Sequence, residues 1–126
     1  KPHFIKGTLY DNIIINKNLE TTSSFMQTYL GNDKVAKKLF YELKTRKISA
    51  KANSLSAGER QRIALARILF QDKYLLLLDE ALSSIDLNSQ KHYMKLFKEQ
   101  TNKNKCIIIA THHTNHLELC DNIIKM

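Results

Sequence analysis

The sequence predicts an α/β fold in which a parallel sheet core is accompanied by an α-helical subdomain. Two apolar runs, residues 75–78 and 106–110, are too short for helices and are typical of buried strands. A segment with helical spacing separates them, as expected for a parallel crossover. We therefore divide the chain into residues 1–54, which contain the helical subdomain, and residues 55–126, which contain the sheet.

The composition is that of a soluble globular protein, with 43% apolar and 25% charged residues in 126 positions. No apolar run approaches the roughly 18 residues of a membrane span, so a membrane link would come through a partner or a missing part. Cys106 and Cys120 stand in apolar surroundings without metal-ligand spacing and are expected to be inert core thiols. The formal charge of +8 comes largely from lysines on polar helix faces without interleaved aromatics, so we expect no nucleic-acid partner.

Two helices are predicted within residues 20–51. The first runs from about residue 22 to residue 30 and stops at Gly31, because glycine favours helix C-terminal caps. The second begins with Asn32 or Asp33 as its N-cap. Its apolar stripe, with lysines opposite, consists of Val35, Leu39 and Leu43.

A capped amphipathic helix is predicted to begin at Ser56. Ser56 and Glu59 have the spacing of a capping box, and Gly58 leaves room for a phosphate or another backbone. The N-terminus of such a helix attracts anions, although an ordinary capped helix would explain Ser56 and Glu59 equally well. The inward face is expected to hold Ile63, Ala66, Leu69 and Phe70, with Arg60, Arg62 and Arg67 mostly off it.

The apolar run at residues 75–78 predicts a strand buried on both faces, and it ends in two carboxylates, Asp79 and Glu80. Ligands of parallel sheets bind beyond the carboxyl ends of the strands. Asp79 is placed to hold a hydrated Mg²⁺, and Glu80 to orient or deprotonate an attacking water. The alternative is a solvated acidic strand end without a ligand.

Asp86 or Asn88 is expected to cap a helix that reaches about Thr101. A right-handed crossover then places the strand at residues 106–110 beside the first strand, so that His112 lies beside Glu80. The inward residues of the crossover helix are expected to be Tyr93, Leu96 and Phe97.

Three histidines, His112, His113 and His116, follow the second strand. They suggest a metal cluster, but a Thr-His pair directly after the strand disfavours that interpretation. A short helix is expected at residues 115–120 and a final strand at residues 123–124.

Several of these segments together resemble the ATP-binding cassette (ABC) ATPases. LSAGERQRIALARIL, at residues 55–69, is similar to their signature segment, and YLLLLDE, at residues 74–80, resembles their Walker B strand. Residues 83–86 resemble the D-loop, and Thr111-His112 the switch-histidine loop. Residues 4–13 resemble the stretch after the Q-loop in exporter-type modules.

The resemblance implies a partial P-loop NTPase fold with ATP and Mg²⁺ as ligands. Glu80 would be the catalytic base, His112 would contact the γ-phosphate, and Asp79 would hold Mg²⁺ through water. A second nucleotide-binding domain would form a head-to-tail dimer, and a transmembrane domain, fused or separate, would place the chain at the cytoplasmic face of a membrane. The signature residues that act in trans would be Leu55, Ser56, Ala57, Gly58 and Glu59, and the D-loop residues Ser83, Ser84, Ile85 and Asp86.

The sequence also departs from the family pattern. Ala57 and Glu59 replace the usual glycine and glutamine, and Glu59 adds negative charge near a phosphate; residues 48–54 lack a glycine-bearing stretch common in exporters. No G-x-x-x-x-G-K-[ST] segment occurs, and the Q-loop glutamine would precede Lys1. We therefore expect the C-terminal part of an ATPase domain that is inactive by itself.

Three functions follow from these patterns. The leading one is the ATPase module of a membrane transporter, most simply an exporter. Glu59 and the basic charge suggest an alternative, a soluble ABC-type ATPase that acts on DNA or ribosomes. A catalytically silent regulatory module would explain the missing P-loop, but intact Asp79, Glu80 and His112 argue against it.

Overall fold

The computed structural model describes residues 3–13, 29, 33–42, 45–49, 51–71 and 73–125. The chain folds as two compact units, Lys1–Asp72 and Lys73–Met126. The first unit contains β1 (Gly7–Thr8), α1 (Leu9–Ile13), α2 (Lys34–Tyr41), β2 (Lys47–Ile48) and α3 (Ala57–Phe70). The second contains β3 (Leu75–Asp79), α4 (Leu87–Thr101), β4 (Cys106–Ala110) and a 3₁₀ helix (Leu117–Leu119). The division after residue 54 separates segments by their predicted function rather than by compactness, and it stays a prediction.

In the first unit, β1 and β2 pair antiparallel, and α3 packs against both α1 and α2. The Gly7-Thr8 pair that precedes α1 forms the cap of this helix. Thr8 Oγ1 accepts a hydrogen bond from the Asp11 N–H at 3.1 Å, while Asp11 Oδ2 accepts from the Thr8 N–H at 2.8 Å. A Cβ on Gly7 would lie 2.8 Å from Asp11 Oδ2, so a side chain there would disrupt this cap.

Helix α2 begins as the sequence predicts, because Asp33 Oδ1 accepts the backbone N–H groups of Val35 and Ala36 at 2.9 and 3.0 Å. The predicted apolar stripe is partly wrong. Leu39 is buried, but Ala36 is buried with it while Val35 is 37% exposed. Leu43, Gly31 and the helix predicted at residues 22–30, apart from Tyr29, lie outside the described residues.

Helix α3 buries Ile63, Ala66, Leu69 and Phe70, as predicted. The expectation for its arginines is wrong for two of the three. Arg62 is only 4% exposed, and its Nε donates to Asp33 Oδ2 at 2.6 Å. Arg67 donates to the Asn12 carbonyl and, at 2.8 Å, to Asn12 Oδ1. Both guanidinium groups turn inward because other segments supply buried oxygen acceptors.

In the second unit, β3 and β4 are parallel neighbours, and Leu75 pairs with Cys106 through to Asp79 with Ala110. This confirms the predicted parallel pairing of the two strands. Asp86 caps α4 by accepting the Ser89 N–H at 3.0 Å. The predicted inward residues Tyr93, Leu96 and Phe97 are all buried.

Three expectations for this unit are wrong, and a fourth is only partly confirmed. Leu76 and Leu78 are buried but Leu75 and Leu77 are 53% and 68% exposed, because the described residues cover only one face of the two strands. Cys106 is exposed and Cys120 half-buried, so neither is a core thiol. The helix at residues 115–120 shrinks to the 3₁₀ turn, and residues 123–124 are exposed and form no strand.

Across the described ranges, no helix combines the length and apolar character that crossing a membrane requires.

Candidate functional site

Glu80 directly follows β3, at the carboxyl end of the parallel pair. Its backbone N–H donates to the Ala110 carbonyl at 2.9 Å, which continues the ladder one step beyond β3. Its φ is 47°, in the left-handed region that a side chain other than glycine seldom adopts. Such strained positions concentrate at functional sites, because the surrounding structure must hold them there.

The Glu80 carboxylate is bound by the segment after β4. Glu80 Oε1 accepts the backbone N–H of His112 at 2.9 Å and lies 2.8 Å from His112 Nδ1, and Thr111 Oγ1 is 3.5 Å from Oε2. The backbone N–H of His112 holds the pKa of the Glu80 carboxyl below its usual range, against a weaker desolvation effect and with help from the His112 ring. The carboxylate is therefore ionised at neutral pH.

The contact between Glu80 and His112 also defines the imidazole tautomer. An ionised carboxylate only accepts hydrogen bonds, so His112 Nδ1 carries the proton. His112 Nε2 is then a hydrogen-bond acceptor when the ring is neutral and a donor when the ring is protonated. The ring is accessible, because the His112 side chain is 75% exposed.

His113 stands next to this pair. Its ring centroid lies 4.2 Å from that of His112, and its backbone N–H donates to Thr111 Oγ1 at 3.1 Å. The chain therefore presents one carboxylate and two imidazoles at the end of its parallel strands.

The segment predicted as a D-loop is anchored by a residue that the sequence patterns did not single out. Gln90, which is buried, donates from Nε2 to the carbonyls of Leu82 and Ile85 at 3.1 and 2.7 Å. Ile85 is buried, whereas Ser83, Ser84 and Asp86 are exposed. The only sequence signal for Gln90 is its position four residues after the Asp86 cap. Asp79 ends β3 with an exposed side chain.

The signature segment belongs to the first unit and is organised by the predicted capping box. Ser56 Oγ accepts the Glu59 N–H at 3.1 Å, and Glu59 Oε2 accepts the Ser56 N–H at 2.8 Å. Leu55 is buried and anchors the turn, whereas Ser56 and Ala57 are exposed and Gly58 is half-exposed. The helix thus presents its first turn, whose backbone N–H groups point along the axis, to the outside.

Glu59 does not present a free charge at this helix start. Its Oε1 lies 2.8 Å from Arg46 Nη1. The same Nη1 pairs with Glu42 at 2.8 Å, and Arg46 Nη2 donates to the Ser54 carbonyl at 2.7 Å. Burial raises the pKa of Glu59, but the Ser56 N–H and Arg46 outweigh burial, so the pKa is lowered overall. Glu59 stands where the family usually has glutamine, and sequence patterns could not identify Arg46 as its partner.

Comparison with known proteins agrees with these features. The family model described as ABC transporter matches residues 4–83. The chain is 34% identical over 123 residues, 95% of its length, to an ATP-dependent lipid A-core flippase of Colwellia psychrerythraea. It is 32% identical over 129 residues, with 98% of its length covered, to a lactococcin-A transport/processing ATP-binding protein of Lactococcus lactis. These alignments span 21% and 17% of the two relatives.

A shorter alignment, 35% identical over 74 residues, links the chain to a macrolide export ATP-binding/permease protein of Chlorobaculum tepidum and covers 59% of this chain and 11% of that protein. The parallel α/β arrangement and the family match together define a nucleotide-binding domain. The chain belongs to the ABC transporter family.

Proposed function

We propose that the chain is the ATP-binding and ATP-hydrolysing module of an exporter. The observation that carries the proposal is the pairing of Glu80 with His112 at the carboxyl end of two parallel strands, where α/β sheets bind their ligands. The relatives named as a flippase and as an export permease support the exporter assignment. The resemblance of residues 4–13 to exporter modules points the same way.

Glu80 acts as the general base in this proposal. Its carboxylate is ionised and held by the His112 N–H in front of the strand end, where it would accept a proton from an attacking water molecule. The left-handed backbone and the Ala110 hydrogen bond fix where that carboxylate stands.

His112 positions the base and contacts the phosphate. Nδ1 faces Glu80, so only Nε2 can reach a terminal phosphate, and it donates a hydrogen bond when the ring is protonated.

The residues at the strand end also suit Mg²⁺. Asp79 offers an exposed carboxylate beside Glu80, and Mg²⁺ prefers oxygen ligands while keeping several of its waters. Asp79 would hold the ion through water, and the bound ion would neutralise charge on the phosphates.

The signature segment, residues 55–59, would act on a nucleotide held by a second nucleotide-binding domain. Ser56, Ala57 and Gly58 are accessible at a helix N-terminus, which suits a phosphate. The D-loop at residues 83–86 would lie at the contact between the two domains. A permease part, fused or separate, would hold the assembly at the cytoplasmic face of a membrane.

In this proposal the phosphate cradle is supplied from outside these 126 residues, because they contain no P-loop. We therefore infer that the chain alone neither binds ATP tightly nor hydrolyses it. The alternative of a soluble ATPase that acts on DNA or ribosomes loses one of its two arguments, since Glu59 is engaged by Arg46 within the chain.

Calorimetry of Mg-ATP binding tests this proposal. Two proteins are compared, the chain itself and the chain joined to an upstream segment with a P-loop, and a P-loop lysine-to-alanine variant of the latter is the control. We expect binding and hydrolysis only in the joined protein with its lysine intact. Tight binding by the chain itself would show that the phosphate site lies elsewhere, and a joined protein without ATPase activity would overturn the enzymatic assignment.

A further inference from the structure

Glu80, His112 and His113 form a group of metal-ligating side chains. Each can offer one carboxylate oxygen or imidazole nitrogen, and these atoms all lie within 4.8 Å of one another. The sequence pattern pointed to His116 as the third member of a histidine cluster, but His116 Nε2 lies 3.2 Å from the Leu87 carbonyl. The group that the fold assembles is therefore a carboxylate with two histidines.

The dimensions of this group fit a tetrahedral cation after small side-chain rotations. With bonds of about 2.0–2.2 Å to Zn²⁺, neighbouring ligand atoms stand roughly 3.3–3.6 Å apart. Glu80 Oε1 and His112 Nδ1 are 2.8 Å apart, so they need to separate by less than about 1 Å, and the His112 side chain is 75% exposed. The backbone on both sides is held by the Glu80 to Ala110 and His113 to Thr111 hydrogen bonds.

The donor set favours zinc over the magnesium that accompanies ATP. Two imidazoles and one carboxylate suit Zn²⁺, whereas Mg²⁺ prefers oxygen ligands in an octahedral shell. Three protein ligands also leave a fourth position for water.

We propose that Glu80, His112 and His113 bind Zn²⁺ when no nucleotide is present, and that the bound ion inhibits ATP hydrolysis. The ion takes the place of the proton between His112 Nδ1 and Glu80 Oε1, and that proton is released to solvent. The carboxylate then cannot accept a proton from water. Binding depends only on this geometry, whereas the inhibitory effect rests on the proposed function of Glu80.

Binding is tested by titrating the chain with Co²⁺, whose visible absorption reports its ligands, and then displacing it with Zn²⁺. We expect one ion per chain. The His113→Ala variant should weaken binding by about tenfold or more. The matched control His116→Ala removes a neighbouring histidine outside the group and should bind as the unmodified chain does. Equal affinity in His113→Ala, or an equal loss in His116→Ala, would overturn the site. If circular dichroism shows that His113→Ala misfolds, His113→Gln decides instead.

Inhibition is tested in the chain joined to a P-loop. Zn²⁺ should reduce ATP turnover, and this reduction should be lost in His113→Ala when each protein is compared with its own turnover in the absence of Zn²⁺. Equal Zn²⁺ sensitivity in the two proteins would refute the inhibitory effect. If the joined protein shows no turnover at all, the proposed function fails, whereas the Co²⁺ titration still decides the metal site.

Discussion

One polar pair of the first compact unit is buried, whereas one of the second is accessible. In the first, Arg62 and Asp33 are only 4% and 1% exposed and bind each other, and Arg67 is tied to Asn12. In the second, Glu80 and His112 are 35% and 75% exposed at a strand end. Charges that are buried and paired hold a helix in place, whereas charges at an exposed strand end are available to a ligand. Substitutions at Arg62 or Asp33 should therefore change stability, and those at Glu80 or His112 should change chemistry.

The largest expected effect is on catalysis. Glu80→Gln keeps the size of the side chain and an acceptor for the His112 N–H but removes the base. In the chain joined to a P-loop, we expect ATP turnover to fall by about 10²–10⁴-fold while ATP binding and the unfolding temperature are retained. Glu99→Gln, which neutralises another exposed glutamate of the same unit, serves as the control and should keep normal turnover. Near-normal turnover in Glu80→Gln would remove Glu80 from the role of base.

The next effect is on stability. Arg62→Ala leaves the Asp33 carboxylate buried without its guanidinium partner, so the free energy of unfolding should fall by about 3–5 kcal/mol in urea denaturation. Lys37→Ala removes an exposed charge from the neighbouring helix and should change it by less than about 0.5 kcal/mol.

A double variant sharpens this test. Combining Arg62→Met with Asp33→Asn removes both charges but keeps an oxygen for the cap of α2. It should recover part of the stability lost in Arg62→Ala. If the double variant is no more stable than the single one, the loss comes from packing rather than from an unpaired charge.

Acid should weaken the start of α3 through Glu59. The pKa of Glu59 in the folded chain lies below its ordinary value of 4.5, so its ionised form contributes stability fully above that pH and loses it as the pH falls through the lowered pKa. The unmodified chain should therefore be more stable than Glu59→Gln by about 1–3 kcal/mol at neutral pH, and the difference should shrink below about pH 4.5. Denaturant unfolding at a series of pH values measures it. A difference that stays constant into strong acid would show that the Glu59 charge contributes nothing.

The smallest effect concerns the cap of α3. Ser56→Ala removes the acceptor for the Glu59 N–H and should cost about 1 kcal/mol of stability, whereas Ser56→Gly should cost only a few tenths. Thermal unfolding compares both with Ser54→Ala, which changes a serine outside the capping box. Equal melting temperatures for Ser56→Ala and Ser54→Ala would show that the capping box does not stabilise the chain.

Much of this architecture could be predicted from local patterns. The Ser56 to Glu59 spacing predicts the capping box, and the crossover rule places His112 beside Glu80, because both depend on short spacings or on a general rule of chain topology. Two apolar runs of similar length were enough to predict the parallel pair.

The arginines could not be placed in this way. The partners of Arg62 and Arg67 stand 29 and 55 residues away in sequence, so helical spacing alone could not show that these side chains turn inward. The same limit applies to Arg46 and Glu59 and to the left-handed backbone at Glu80, which depends on how the strand end is held. The exposure of Leu77 was missed because a run of leucines does not tell which layers cover it.

The alternating exposure of β3 also predicts how the chain behaves in concentrated solution. Leu75, Leu77 and Ile108 are each more than half exposed on two neighbouring strands, and such apolar surface is attractive to a second copy of itself. Yield and particle size should then depend on protein concentration, so that dilute solutions stay clear where concentrated ones scatter light.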